Sequence, residues 1–153
     1  MKIRQYKPDD SAQIADLFHS AVHAIDDTLY SSRQLEAWAP SPPDYYFWAQ
    51  RLALKKPFVA YIDKYIIGFI ELEEDGHIDC LYVHKNYQGQ GVAAGLFSYL
   101  FDLAKTRKIN RLYVEASKPA VPFFKKQGFN ILRNNLVILR GEVLENYCMA
   151  REI

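Results

Sequence analysis

The residues best placed to do chemistry run from 81 to 97, LYVHKNYQGQGVAAGLF. Leu81-Tyr82-Val83 has the apolar, β-branched and aromatic character of a strand, and the spacing after Gly91 is that of a helix. Between them, Gly89 and Gly91 let the backbone come close to a ligand, and the first amides of the helix point one way. Such a corner binds anions and suits a pyrophosphate. Taken alone, Gly-x-Gly is more often a plain turn, so the surrounding pattern has to decide. A Walker loop is excluded, because no Gly-Lys-Ser/Thr follows. Gly89-x-Gly91-x-x-Ala94 also fits the dinucleotide fingerprint, which normally opens a parallel strand-helix-strand unit.

Acid–base groups stand just upstream. His77 and Asp79 are two residues apart, which in a regular strand places both on the face of Leu81 and Val83. An alkyl ammonium of pKa ~10.4 must lose a proton before it can attack as a nucleophile, and these residue types can take it. The competing reading makes His77 a solvated turn residue, since it follows Asp75-Gly76 directly.

The elements that must position these groups are read as follows. Residues 2–6 form a short strand, and Asp10 with Gln13 forms a capping box for a first amphipathic helix. Ser31 with Gln34 opens a second helix that stops before Pro40, and Asp44 caps a third that ends at Pro57. From Phe58 three strands alternate with Asp63-Lys64 and Asp75-Gly76 turns, the latter a type I′ signal, giving an antiparallel meander. A long helix from about Gly91 to Lys108, a strand at 111–116, a short helix at 119–127 and strands at 129–139 and 142–151 complete the chain. The class is α+β: a mixed, mostly antiparallel sheet with helices on both faces, in one domain over 1–153.

Composition narrows the rest. The 19 basic and 18 acidic residues nearly cancel, which argues against a nucleic-acid partner. No apolar run nears the ~18 residues that cross a bilayer, and the start lacks the apolar core of a signal peptide, so the expected location is cytoplasmic. Cys80 and Cys148 sit in apolar stretches and read as core residues in a reducing compartment. His19 and His23 have a metal-compatible spacing but no third ligand, and no metal is expected.

Gln88, Gly91 and Ala93 spell Gln-x-x-Gly-x-Ala, which closely resembles the acyl-CoA pyrophosphate signature of the GCN5-related N-acetyltransferase superfamily. The strand before it, Leu81-Tyr82-Val83-His84, also has that family's pattern. A second motif follows in register, Ala120-Val121-Pro122-Phe123-Phe124-Lys125-Lys126-Gln127-Gly128-Phe129. The resemblance spans nearly the whole chain, as in a small bacterial-type single-domain member, with 26–50 matching only in position.

The resemblance implies an acyl-CoA N-acyltransferase-like fold and acetyl transfer from acetyl-CoA to a primary amine, by direct attack in a ternary complex. The cofactor set it implies is Leu81, Tyr82, Val83, Gln88, Gly89, Gln90, Gly91, Val92 and Ala93, with Ser117 and Phe124. By the same resemblance, Leu81 and Val83 would hold the pantetheine arm, amides 88–93 would take the pyrophosphate, and an N–H near Leu81 would stabilise the oxyanion. His77 and Asp79 match strand positions where a relative carries two histidine bases. Where the family has a tyrosine that protonates the leaving thiolate, this chain has Phe124, which has no proton to give. Tyr147 or Cys148 on the last strand, unaided departure, or a catalytically silent acyl-CoA-binding protein are the alternatives. The acceptor, a small-molecule or peptide amine, would be met by residues in 26–50, with Asp27, Tyr30 and Trp38 foremost and Asp26, Tyr45, Tyr46 and Trp48 beside them. An exposed last strand would be the route to a homodimer.

Overall fold

The runs of β-branched and aromatic residues assemble into one seven-stranded sheet in the computed structural model, which describes residues 1–153. The strands are β1 (Lys2–Gln5), β2 (Phe58–Ile62), β3 (Tyr65–Leu72), β4 (His77–Val83), β5 (Arg111–Ala116), β6 (Asn130–Leu139) and β7 (Glu142–Glu152). Their order is β1-β2-β3-β4-β5-β7-β6. Every neighbouring pair is antiparallel except β4 and β5, which are joined by a helical crossover. The strand before the glycine loop is parallel to β5 but antiparallel to β3, so the loop does not sit in the open, mostly parallel sheet in which a dinucleotide fingerprint works. No helix is long and apolar enough to cross a membrane.

Five helices cover the two faces. On one lie α4 (Val92–Thr106) and α5 (Val121–Lys126), packed through Leu96, Phe97, Leu100 and Phe124 on Ile67, Ile70, Leu112 and Met149. On the other lie α1 (Ser11–His23), α2 (Ser32–Trp38) and α3 (Tyr45–Lys55), whose Ile14, Leu17, Trp48 and Leu52 meet Val59, Phe69 and Cys80. The expected aromatic block at 38–48 divides. Trp48 is core, Trp38 is half-buried, and Tyr45, Tyr46 and Phe47 face solvent.

Local expectations hold where no stronger partner competes. Ser31 and Gln34 form their capping box, and Asp44 accepts the Phe47 N–H at 2.9 Å. The Asp10–Gln13 box does not form. Arg4 takes the Asp10 carboxylate with two charged hydrogen bonds of 2.7 and 3.0 Å, and Lys7 N–H adds a third. Gln13 instead accepts the Ile66 N–H at 3.0 Å, tying α1 to the start of β3. The Asp75-Gly76 turn is not type I′ either, since only Gly76 of the pair has a positive φ (98°), and Gly76 N–H closes on Glu73 O across a longer loop. The last strand is not an edge. β7 lies between β5 and β6, and β6 is the free one.

Two irregularities create the site. β4 and β5 pair only through His77↔Tyr113 and Ile78↔Val114, and beyond those residues the strands part. β4 also carries an extra residue: Glu71 faces Cys80 while Leu72 faces Ile78, so Asp79 is a bulge. The bulge flips the alternation. Ile78 and Leu81 both face the α4 side, whereas Cys80 and Tyr82 face α1. The expectation that His77 shares a face with Leu81 and Val83 fails for this reason.

Candidate active site

Strand geometry decides what β4 offers to the gap. His84 N–H donates to Ile67 O, so hydrogen-bonded pairs with β3 fall at His84 and Tyr82. The N–H and C=O of Leu81 and Val83 then point away from β3, toward the parted β5. Gln88 holds the loop after β4 by donating from Nε2 to Val83 O at 3.2 Å.

The loop itself is a run of free donors. From Gln88 through Ala94, no backbone N–H donates to any protein acceptor. Gly91 caps α4 with φ 83°, Gly89 has φ 74°, and a Cβ built on either meets nothing within 4 Å. These glycines border open space, at the end of α4 that carries positive partial charge. Gly68 supports the arrangement from below. A Cβ there would lie 3.0 Å from Val92 and Leu96 side-chain atoms, so its absence lets α4 sit close on β3.

Two cavities meet at the gap. A cleft of about 700 Å³ on the α4 side is lined by Leu81, Tyr82, Val83, Gln88, Gly89, Gly91, Val92, Ala93, Ser117 and Phe124, among others. That is the expected cofactor set except Gln90, whose side chain bonds Asn86 O instead. A second cavity of about 320 Å³ opens on the other side, lined by Tyr30, Trp38, Asp79, Glu115, Asn135 and Glu145, with Val137, Leu139 and Leu144 as apolar wall. Trp38, Leu81, Tyr82, Ser117, Ala120 and Phe124 line both.

Helical N-terminus, parted strands and two adjoining cavities come together at one place on the sheet, and the sequence comparison supplies a family. The family described as acetyltransferase (GNAT) domain matches residues 27–138. The chain belongs to the GNAT acetyltransferases. It is 34% identical over 149 residues, covering 97% of the chain and 94% of the relative, to the uncharacterized N-acetyltransferase YafP of Escherichia coli K12. A crystal structure of a GCN5-related N-acetyltransferase from Rhodopseudomonas palustris superimposes with TM-score 0.93 at 35% identity, covering 99% and 95% of the two chains. The PaiA N-acetyltransferase of Thermoplasma acidophilum, solved with coenzyme A, shares the fold with TM-score 0.79 at 16% identity, covering 99% and 98%.

Within this GNAT site the ionisable groups are already paired. His77 bonds Glu73 through Nδ1 at 2.6 Å and Glu115 through Nε2 at 2.5 Å, and stacks on Tyr113. Burial works against its charge, but the two carboxylates prevail and raise its pKa. An imidazolium so held has no lone pair to offer. His77 lines neither cavity; Glu115, in front of it, does. Asp79 reaches Lys55 at 2.8 Å and Arg51 at 2.9 Å. Burial raises its pKa, yet the two cations outweigh burial and hold it low.

Sequence reasoning missed Arg51. Its Nη2 also binds Glu71 at 2.6 Å, and Glu71 is only 1% exposed, so burial pushes that carboxyl up against the pull of Arg51. Glu73, His77 and Asp79 bring ligand atoms within 4.8 Å of one another, but Lys55 already bridges both carboxylates.

The other expected site residues are scattered. Tyr147 lines neither cavity, and its hydroxyl donates to the Glu145 carboxylate at 3.2 Å, which raises its pKa. Asp27 is exposed and lines neither, while Asp26 lines the cleft. Tyr30 is buried, and Trp38 packs edge-on against both Tyr30 and Tyr82. His19 and His23 bind Ser41 Oγ and Ala39 O, so they fasten the α2–α3 connection.

Proposed function

We propose that this chain transfers the acetyl group of acetyl-CoA to a small primary amine, by direct attack within a ternary complex. The observation that carries the reading is the unbroken run of unclaimed amides from Gln88 to Ala94, beside a gap that opens onto a second cavity. Those amides receive the pyrophosphate. The main chain of Leu81 and Val83 receives the pantetheine arm, and the N–H of Leu81 stabilises the oxyanion. Solved acetyltransferases of the same fold with coenzyme A or acetyl-CoA bound support the choice of cofactor.

The acceptor enters from the other side. That cavity is lined by Asp79, Glu115 and Glu145 and by no lysine, arginine or histidine, so it favours a cation over an anion. Its apolar wall and the ring of Trp38 suit an amine with a hydrocarbon body. Glu115 receives the ammonium and passes its proton to solvent, with His77 holding Glu115 in place from behind. Asp79, tied to Lys55 and Arg51, keeps the bulge in place.

The test is thermal stability with saturating acetyl-CoA, CoA, NAD and NADP, then thiol release against a panel of amines. A ligand at 100-fold over its dissociation constant stabilises by ~2.7 kcal/mol, and acetyl-CoA and CoA should do so while the nicotinamide cofactors do not. Glu115→Gln should lower turnover about 10-fold or more and leave acetyl-CoA binding intact. Phe124 favours a second reading, an acyl-CoA-binding protein without turnover, which the same panel identifies by binding with no thiol released.

A further inference from the structure

We propose that Tyr30 is the proton donor to the departing thiolate, filling the role that Phe124 leaves vacant. This rests on the acetyl-transfer reading above. As the acceptor nitrogen bonds to the acetyl carbon, the C–S bond breaks and its electron pair leaves on sulfur. With acetyl-CoA bound as proposed above, that sulfur would lie where the two cavities meet, a junction lined by Ser117, Phe124 and Leu81.

Three O–H groups belong to residues lining the acceptor cavity: those of Tyr30, Tyr82 and Ser117. Tyr82 is stacked on Phe69 and edge-packed by Phe18, on the α1 face of the sheet. Ser117 carries an aliphatic alcohol, a far weaker acid than a phenol. Tyr147, the donor suggested by sequence, lines neither cavity.

Tyr30 is placed differently. It is 2% exposed, and its hydroxyl oxygen accepts Lys118 N–H at 3.1 Å, one residue beyond Ser117 at the exit of β5. Its proton lies on Glu145 O of β7 at 2.6 Å. The phenol thus links the exit of β5 to β7, in the wall of the acceptor-side cavity. Rotation about the Cζ–O bond turns the proton from Glu145 O toward the gap while Lys118 N–H stays on the oxygen.

The phenolate left behind is also provided for. Lys118 N–H continues to donate to it, and the Lys118 ammonium lies 4.9 Å from the ring centroid, anchored on Leu29 O at 3.1 Å. The proton balance closes. An ammonium becoming an amide sheds two protons: one restores Tyr30 after its own has gone to sulfur, and the other leaves to solvent. Burial raises the Tyr30 pKa, which keeps the phenol protonated and ready at neutral pH.

The test needs no acceptor. CoA is bound to the full chain, and its thiol is titrated through the ultraviolet thiolate band in the wild type and in Tyr30→Phe. A hydrogen bond to the charged form makes a thiol more acidic, so the wild type should hold CoA with a thiol about 10-fold more acidic than the variant does. CoA affinity by calorimetry at a pH below that titration should be the same in both. Equal thiol acidity in the two proteins overturns the proposal. Failure of the wild type to bind CoA overturns the acetyl-transfer reading instead. Should Tyr30→Phe not fold, Tyr30→3-fluorotyrosine keeps both hydrogen bonds and reports directly. Its fluorine resonance should follow the titration of bound CoA and stay still with desulfo-CoA. A resonance indifferent to the thiol overturns the proposal equally.

Discussion

The two sides of the gap between β4 and β5 are built by different means. The cleft on the α4 side is built around one contiguous stretch, 81–94, whose free backbone amides lie at its end, with walls from 21–29 and 117–127. The cavity opposite gathers Tyr30, Trp38, Asp79, Glu115, Asn135 and Glu145 from six separate segments and works through side chains. Main-chain chemistry constrains which residues can stand nearby, because only glycine relaxes at the φ values found at positions 89 and 91. Side-chain chemistry assembled at long range imposes no such local rule. A fold built this way can keep its cofactor while its acceptor changes.

The largest effect expected on binding breaks the cleft alone. Gly91→Glu puts a carboxylate where the anion sits and forces a strained φ of 83°, so acetyl-CoA should bind on the order of 100-fold more weakly. Calorimetry checks it, and undiminished binding would remove the anion site from the picture.

The next effect breaks the opposite side. Arg51→Met strips the cation from Glu71, which is 1% exposed, and should cost about 3–5 kcal/mol of stability. The melting temperature should fall by roughly 10 °C, with acetyl-CoA still bound by the folded protein. Lowering the pH should shrink the deficit as Glu71 takes up a proton. A deficit that grows in acid would mean Glu71 is not the stranded group.

The smallest effect sharpens the role of His77. Its folded pKa lies above the ordinary ~6.5, so its pairing with Glu73 and Glu115 contributes fully below that value and is lost as pH rises through the folded value. The stability difference between wild type and His77→Gln should therefore narrow on going from mildly acidic to alkaline solution, by no more than about 1 kcal/mol given the exposed carboxylates. Denaturant titrations at several pH values measure it. A gap that widens toward alkaline pH would show a neutral imidazole and reopen a role for His77 as base.

The same contrast explains what the sequence made legible. Hydrophobic period, turn residues and the Ser31 and Asp44 caps are local, and they placed every strand and all five helices to within a few residues. The glycine loop is local too. The bulge at Asp79 is not, because it is defined only by how β4 lies against Glu71 and Leu72, and that single displaced residue turned the His77 side chain to the other face. Arg51 was passed over for a similar reason: nothing near it in sequence shows that Glu71 and Asp79 await it. Asp10 misled because its cap had a rival, Arg4, six residues earlier and charged.

One consequence of the parted strands concerns association rather than catalysis. The sheet has four borders, not two: β1 and β6 outside, and within the wedge the unpaired sides of β4 from Asp79 onward and of β5 at Glu115 and Ala116. Inner borders are as hungry for a partner as outer ones, and a foreign strand would settle into them if it could reach. Here Trp38 and Phe124 line the gap from both cavities and Tyr30 lines one, so aromatic rings stand where a further strand would have to pair. The rings that frame the reaction also guard the sheet against being completed by the wrong molecule.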